Sequence, residues 1–375
     1  MTLQQLAVSG YRSLQNVVLP LDQLTLITGA NGSGKSNLFR SLHLIVAAAR
    51  GDLVGALARE GGLPAVLWAG PPEQLSRSIR NGEQPVQGGP RQQPVRLRIG
   101  FQAEPFSYAL ELGYPQERDT AFALDPAFKG EWIWAGGAFH PRSVLTTWAG
   151  GRGGDSADCS VFQGGLDPME HPEVLALREQ ILSWRFYDSF RTDADAPARQ
   201  AMVGTRCFAL AGDGHDLPAA VQTILEQGDG DGLQQAVADA FPGSHLSVSC
   251  EGGLFRLRLH QPGLLRPLET SELSDGTLRY LLLAVALFSP RLPPLLVLNE
   301  PEGSLHPQLL EPLGRLIRAA ACRTQVWVVA HAPALINGLR GDPGCHHVQL
   351  RRELGATVVQ GQTTLERSAW RWPAR

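Results

Sequence analysis

A glycine-rich octapeptide near the N-terminus restricts the fold of this chain more than any other feature. Residues 29–36, GANGSGKS, match the pattern G-x-x-x-x-G-K-[ST] and stand between the β-branched run LTLITG and a segment of good helix formers. In the order strand, loop and helix, successive backbone N–H groups and the positive helix end can surround a phosphate group. Lys35 would reach the β- and γ-phosphates of a nucleotide, and Ser36 would offer its hydroxyl to Mg²⁺. The octapeptide therefore predicts a nucleotide-binding α/β domain.

Three further motifs follow in order toward the C-terminus. The segment LSDGT places Ser274 and Gly276 directly before an apolar helical run. PLLVLNE predicts a buried strand that ends in Asn299 and Glu300, and VWVVAHAP predicts another that ends before His331. Open α/β sheets bind their ligands at the carboxyl ends of parallel strands, so we expect these polar residues to face the nucleotide.

Taken together, the segments resemble the RecF-like predicted ATPases related to the OLD (overcoming lysogenization defect) family, within the ABC-type superfamily of P-loop ATPases. The similarity is carried by GANGSGKSN, LSDGTLRYL, LNEPEGSLHP and VVAHAPALI, by the SMC- and RecF-like opening GYRSLQNVVL, and by LSWRFYDSFRTDADAPARQ and GHDLPAAVQTI. The resemblance implies an α/β fold: an ABC-type head with a mixed β-sheet core, an antiparallel β subdomain and an inserted helical lobe.

The resemblance also implies roles for individual residues. Glu300, His331 and Lys35 are the expected catalytic residues, and ATP with Mg²⁺ is the expected ligand. Ser36 is expected to bind the metal directly and Asn299 to bind it through water. The residues expected to contact the nucleotide are Gly29, Ala30, Asn31, Gly32, Ser33, Gly34, Lys35, Ser36, Asn37, Arg12, Ser274 and Gly276. In this family Ser274 and Gly276 would act on a nucleotide held by a second copy, so an ATP-dependent homodimer is expected.

Asn299 departs from the two acids with which ATPases of this kind usually end the strand. Asparagine offers a carbonyl oxygen but no charge, so Mg²⁺ binding should be weakened and not lost. Because Glu300, Lys35, Ser36 and His331 are all present, we interpret the site as a working but slow variant. A site that clamps ATP without turnover is the alternative.

Patterns along the chain divide it into four predicted segments. Residues 1–70 would form the first part of the ATPase head, and 71–170 an antiparallel β subdomain with loops, including a Pro/Gly-rich loop at 71–94. Residues 171–245 would form the helical lobe, in which HPEVLALREQILSWRFY has helical spacing. Residues 246–375 would complete the head. The stretch after His331 is too short for the Toprim nuclease domain of OLD enzymes. The Q-loop glutamine has no clear position, with Gln102 a weak candidate.

Composition narrows the choice of partners. With a formal net charge of −3 and 18% charged residues, the chain shows no bulk electrostatic affinity for nucleic acid, although a local basic groove stays open. Four arginines would form either such a phosphate-contacting face or a salt-bridged surface: Arg185, Arg191, Arg199 and Arg206. Five scattered cysteines fit a reduced cytoplasmic protein. No signal peptide is apparent, and the apolar run YLLLAVALF is shorter than a membrane span, so no membrane partner is expected.

Three functions remain open at this point. The leading interpretation is an ATP-hydrolysing, ATP-dimerising head that acts on DNA in repair or in defence against foreign DNA. The second is a regulator that clamps ATP and signals to a separate effector protein. The third is the nucleotide-binding subunit of a transporter, which the SMC-like opening and the long insertion before Ser274 disfavour.

Overall fold

The computed structural model describes residues 2–70, 96–115, 121–122, 124–148, 159–164, 167, 169–188, 190–362 and 370–373. The predicted loop at 71–94 lies outside this part of the chain, as does most of the glycine-rich segment 149–165. The chain forms two compact units. The first comprises Met1–Leu21, Gly29–Ser183 and Val348–Arg375, and the second comprises Asp22–Thr28 and Trp184–His347.

Strands and helices are numbered in chain order over the described residues. The strands are β1 Thr2–Tyr11, β2 Leu14–Pro20, β3 Leu24–Gly29, β4 Leu97–Glu104, β5 Phe106–Gly113, β6 Ala127–Ala135, β7 Val144–Trp148, β8 Arg185–Tyr187, β9 Met202–Val203, β10 His245–Glu251, β11 Leu254–His260, β12 Leu268–Glu269, β13 Leu295–Asn299, β14 Gln325–Val329, β15 Cys345–Glu353 and β16 Ala356–Val359. The helices are α1 Lys35–Arg50, α2 Leu53–Arg59, α3 Leu63–Val66, α4 Pro172–Leu182, α5 Leu217–Gln227, α6 Gly230–Ala240, α7 Asp275–Phe288, α8 Leu310–Ala321 and α9 Pro333–Arg340.

The first unit contains an antiparallel sheet in the order β2-β1-β4-β5-β6-β7. Strands β4 and β5 form an antiparallel hairpin, with Ile99 paired to Leu110. Alternating side chains on such strands leave one face free to pack. A cluster of buried aromatic and small residues covers part of this sheet and includes Trp132, Trp134 and Trp370.

A parallel sheet forms the centre of the second unit. Its strands β3, β14, β13 and β8 are neighbours in that order and run parallel, with Leu26 opposite Val328 and Leu298 opposite Tyr187. β13 and β14 are buried along almost their whole length, as strands covered by helices on both faces must be. The carboxyl ends of these strands therefore lie at one edge of the sheet.

Apart from Arg279, helix α7 is apolar on every side from Leu278 to Leu287, and it lies inside the core of the second unit. Leu278 and the run from Tyr280 to Leu287 are all buried, which is the pattern of an interior helix. The predicted helix after LSDGT and the two predicted strands PLLVLNE and VWVVAHAP are confirmed as α7, β13 and β14, with α8 between the strands and α9 after them. Among the described helices, none combines the length and apolarity that crossing a bilayer requires.

Two elements differ from the sequence expectation. The helix predicted through HPEVLALREQILSWRFY ends at Leu182, and Arg185–Tyr187 instead form β8, because pairing with the buried strand β13 outweighs helical spacing. The hairpin of β15 and β16 was not predicted. Its turn places Leu354 and Gly355 at positive φ, and leucine at such a position gives no sequence signal for a turn.

Candidate nucleotide-binding site

Two glycines of the loop between β3 and α1, Gly29 and Gly34, have no room for a side chain. A Cβ at Gly34 would lie 2.0 Å from Thr357 Oγ1, and one at Gly29 would lie 2.4 Å from the carbonyl oxygen of Leu350. Gly34 also has φ of +105°, a conformation that only glycine adopts readily. The motif glycines therefore allow the loop to pack against β15 and β16 of the first unit.

Side-chain hydrogen bonds fix this loop from two directions. Thr357 Oγ1 donates to the carbonyl oxygen of Ser33 at 2.8 Å and lies 2.7 Å from Ser13 Oγ. Asn37 Nδ2 donates to Ser13 Oγ at 2.8 Å. Asn37, expected to contact the nucleotide, thus contacts the turn between β1 and β2.

The donors of the loop suit an anionic ligand. Lys35 is 5% exposed, and its ammonium group donates to the carbonyl oxygens of Gly29 at 2.6 Å and Ala30 at 2.9 Å, so it lies within the curve of the loop. Ser36 is exposed in the first turn of α1. Ser33 Oγ is buried and has no hydrogen-bond partner among the described residues. Helix N-termini attract phosphate groups, and a buried hydroxyl without a partner is a donor that a phosphate oxygen can satisfy. These groups fit a nucleotide.

Arg12 makes its hydrogen bonds to a carboxylate in the first unit. Its Nη2 and Nε atoms donate to Glu60 Oε2 at 2.7 and 3.1 Å, and Tyr11 donates to the same oxygen at 2.8 Å. Burial and the Glu60 carboxylate raise the pKa of Tyr11 well above its usual range. A contact between Arg12 and a nucleotide would have to compete with this ion pair.

In the second unit, Glu300 and His331 lie together at the edge of the parallel sheet. His331 Nε2 is 3.1 Å from Glu300 Oε1, and the backbone N–H of Glu300 donates to the carbonyl oxygen of Val329 at 2.8 Å. Glu300 has φ of +48°, which is uncommon for a residue with a side chain and costs on the order of 1–3 kcal/mol. The carboxylate side chain is 53% exposed, so it is accessible to water.

Glu302 and Arg279, which the sequence motifs did not identify, form hydrogen bonds with the backbone at this edge. Glu302 Oε1 accepts hydrogen bonds from the backbone N–H groups of His331 and Ala332, the latter at 2.9 Å, at the start of α9. Arg279 Nη2 donates to the carbonyl oxygen of Glu300 at 3.2 Å. Burial lowers the pKa of Arg279, and the Asp188, Glu302 and Glu300 carboxylates oppose that shift. A charged residue within the apolar run of α7 was the available sequence signal for Arg279.

Asn299 ends β13 next to a carboxylate from the neighbouring strand. Its Nδ2 atom donates to Asp188 Oδ1 through a short hydrogen bond. The described residues contain no cluster of three His, Cys, Asp or Glu side chains able to hold a metal ion. Mg²⁺ in phosphate-binding proteins is commonly held by one or two protein groups together with phosphate oxygens. Asn299 and Asp188 of the second unit are hard oxygen donors of this kind, and Ser36 of the first unit offers a hydroxyl oxygen.

Ser274 and Gly276 form the start of α7. Ser274 Oγ accepts from the backbone N–H of Thr277 at 3.2 Å, so Ser274 is the N-cap of the helix, and it is exposed. A Cβ at Gly276 would lie 2.9 Å from the carbonyl oxygen of Ser304. Ser304 belongs to the same unit as Gly276. Its close approach therefore explains the glycine at position 276 without any contact to a second copy of the chain.

Arg199 holds the turn before α7 in place. Its side chain is 7% exposed and donates to the carbonyl oxygens of Thr270 and Leu273, each at 2.8 Å, and to Asp275 Oδ1 at 2.8 Å. Arg199 therefore has a structural role inside the unit, whereas Arg191 pairs with Asp193 at the surface. The four arginines do not share one environment. Gln102 is buried in the antiparallel strand β4, opposite Gln5 of β1.

Comparison with known proteins agrees with these observations. Residues 166–337 match the family described as "AAA domain, putative AbiEii toxin, Type IV TA system", and residues 1–52 match the one described as "Protein of unknown function (DUF2813)". No match was found among curated proteins.

The structure is similar to SMC heads. One is the SMC head bound to the C-winged helix domain of ScpA, with a TM-score of 0.52 and 13% identity over 98% of this chain and 99% of that chain. Others are the SMC head domain from Thermotoga maritima (TM-score 0.48, 16% identity, 96% of this chain and 98% of that one) and an Smc head with an extended coiled coil bound to the C-terminal domain of ScpA derived from Pyrococcus furiosus (0.49, 14%, 96% and 95%). The first likeness confirms the predicted fold class: this chain has the fold of an ABC-type P-loop ATPase head.

Proposed function

We propose that this protein is a cytoplasmic RecF-like ATPase that binds ATP with Mg²⁺, dimerises on ATP and hydrolyses it slowly. The contact between Glu300 and His331 carries the proposal, because it places a carboxylate base and an imidazole 3.1 Å apart at the sheet edge where β3 also ends. Hydrolysis of ATP needs a group that orients and deprotonates water, and Glu300 is exposed enough to contact one.

Each residue has a defined task under this proposal. The N–H groups of the loop, Lys35 and the Ser33 hydroxyl bind the phosphates, and Ser36 and Asn299 face the metal. Mg²⁺ neutralises the negative charge of the phosphate oxygens when it is bound. Glu300 accepts the proton of the attacking water, and His331 holds the Glu300 carboxylate in position. The exposed Ser274 and the N-terminus of α7 would contact the nucleotide of a second copy.

The biological role we propose is action on DNA, in repair or in defence against foreign DNA. The RecF-like motifs support it, and so does the similarity of residues 166–337 to a family described by a toxin of a type IV toxin–antitoxin system. The net charge of −3 provides no bulk electrostatic attraction to DNA, so under this proposal the contacts come from a local basic surface. The exposed position of Ser274 at the N-terminus of α7 supports association of two copies.

The first prediction tests nucleotide binding with a matched pair of lysine variants. Lys35 and Lys129 are the two lysines of the chain, and they lie in α1 and β6. Lys35→Ala should abolish ATP binding measured by calorimetry, because it removes the ammonium group that contacts the phosphates. Lys129→Ala should bind ATP as the wild type does. Equal ATP affinity in the two variants would exclude the proposed loop as the nucleotide site.

Turnover measured with and without duplex or single-stranded DNA tests the rest of the proposal. Steady hydrolysis that DNA accelerates would support the DNA-linked ATPase. Asn299 favours a second candidate, a regulator that clamps ATP and acts through a separate effector protein. ATP binding without turnover at any Mg²⁺ concentration would identify that function instead.

A further inference from the structure

A carboxylate lies beside the strand end at which asparagine replaces the expected acid. β8 runs parallel to β13 with Tyr187 opposite Leu298, so Asp188 follows β8 where Asn299 ends β13. Because a carboxylate only accepts hydrogen bonds, the amide of Asn299 must turn its NH₂ group toward Asp188, and it donates to Asp188 Oδ1. The two side chains therefore form a hydrogen-bonded pair with a single negative charge.

Arg279 contacts the backbone at both Asp188 and Glu300, at the same edge of the parallel sheet. Arg279 Nη2 lies 3.2 Å from the carbonyl oxygen of Glu300 and 3.5 Å from that of Asp188. One buried guanidinium group thus contacts the chain at both positions. Asp188 is exposed at this edge. Its carboxylate can therefore interact with a bound ligand.

We propose that Asp188 supplies the negative charge for Mg²⁺ that Asn299 lacks, so that the Asp188–Asn299 pair performs the task of one acidic residue at the end of β13. This inference rests on the proposed function, because it concerns the metal ion that accompanies ATP. It explains how asparagine at position 299 is compatible with a working site: the charge comes from the adjacent strand.

Exchange of the charge between the two positions tests the proposal. Wild type, Asp188→Asn, Asn299→Asp and the double variant are heated with saturating ATP, and the Mg²⁺ concentration that gives half of the maximal increase in Tm is measured. Removal of one charge near a divalent ion should raise that concentration about tenfold in Asp188→Asn. Asn299→Asp should lower it, and the double variant should return close to wild type because it again has one carboxylate.

Binding of ATP in EDTA shows whether Asp188 acts on the metal. Asp188→Asn should bind metal-free ATP at least as tightly as the wild type, because it removes a charge that repels phosphate. Asp193→Asn, an exposed neighbour paired with Arg191, is the control and should change neither measurement.

An unchanged Mg²⁺ requirement in Asp188→Asn would overturn this inference, and so would an ATP affinity that falls equally with and without Mg²⁺. If the wild type still binds ATP, either result leaves the proposed function intact. A double variant that stays as poor as Asp188→Asn would also overturn it. Failure of the wild type to bind ATP would overturn both.

Discussion

Glu300 joins an uncommon backbone conformation to an exposed carboxylate. Glu300 directly follows the last residue of β13 and has φ of +48°. Its backbone N–H donates to the carbonyl oxygen of Val329, and its own carbonyl oxygen accepts from Arg279. These two backbone contacts keep the residue in a conformation that would otherwise relax. The side chain is thereby directed by neighbouring strands and by α7, and not by its own helix or strand.

At the residue scale we predict that Glu300→Gln separates binding from hydrolysis. The variant keeps the shape of the side chain and a hydrogen bond to His331 but loses the base, so turnover should fall by about 10²–10⁴-fold at every Mg²⁺ concentration. ATP affinity should stay near that of the wild type. Steady-state ATPase rates and calorimetric binding of ATP check the two parts. Turnover within a few-fold of wild type would show that another group is the base.

At the scale of single elements, strand β6 carries a buried acid that makes stability depend on pH. Glu131 accepts hydrogen bonds from Tyr108, from Ser160 at 2.8 Å and from the backbone N–H of Val161 at 2.6 Å. Burial raises the pKa of Glu131 from its ordinary value of 4.5 to about 7, although these hydrogen bonds partly oppose the shift. The folded protein therefore binds one more proton than the unfolded chain between these two pH values.

We predict that Glu131→Gln removes this pH dependence. Because the pKa is raised on folding, the contribution of Glu131 is most favourable below pH 4.5 and declines as the pH rises to about 7. Glutamine imitates the protonated acid, and Tyr108 and Ser160 can accept from its NH₂ group. Urea unfolding should give similar free energies for both proteins near pH 5 and an advantage of roughly 1–3 kcal/mol for the variant near pH 8. Parallel pH profiles would show that Glu131 does not titrate in this range.

The motifs were predictable because each lies within one short stretch of sequence. The glycine-rich loop, Glu300, His331 and the N-cap Ser274 all occur at the ends of elements whose type follows from local periodicity. Asp188 and Glu302 could not be found in this way, since their partners are 111 and 29 residues away in the chain. β8 was missed for the same reason: only its pairing with β13 makes a strand of three residues favourable.

At the scale of the whole molecule, the chain builds its parallel sheet from distant segments. β3 comes from the N-terminal part, β8 from the middle, and β13 and β14 from the C-terminal third. Since pairings between distant segments must wait for loop closure, we expect this sheet to form late in folding. The domain limits proposed from the sequence at 71, 171 and 246 remain predictions.

We predict that two copies associate when ATP is bound and not hydrolysed. Ser274 is exposed at the N-terminus of α7, where it can contact a phosphate held by another copy. Glu300→Gln with ATP and Mg²⁺ should therefore elute as a dimer in size-exclusion chromatography, and ADP should give the monomer. A Ser274→Arg substitution in that background is the control, because a large side chain there should prevent association. A species of one size under all conditions would contradict the two-head arrangement.

The packing of the glycine-rich loop against β15 and β16 has a consequence for biosynthesis. Gly29 and Gly34 leave the ribosome early, but Leu350 and Thr357, which lie against them, leave it more than 300 residues later. Until then the loop lacks its hydrogen bond from Thr357 and has the conformational freedom of a glycine-rich segment. Under the proposed function, nucleotide would bind the packed loop and so stabilise chains in which the β15–β16 hairpin has been made. ATP in the cell would thus distinguish finished molecules from interrupted ones.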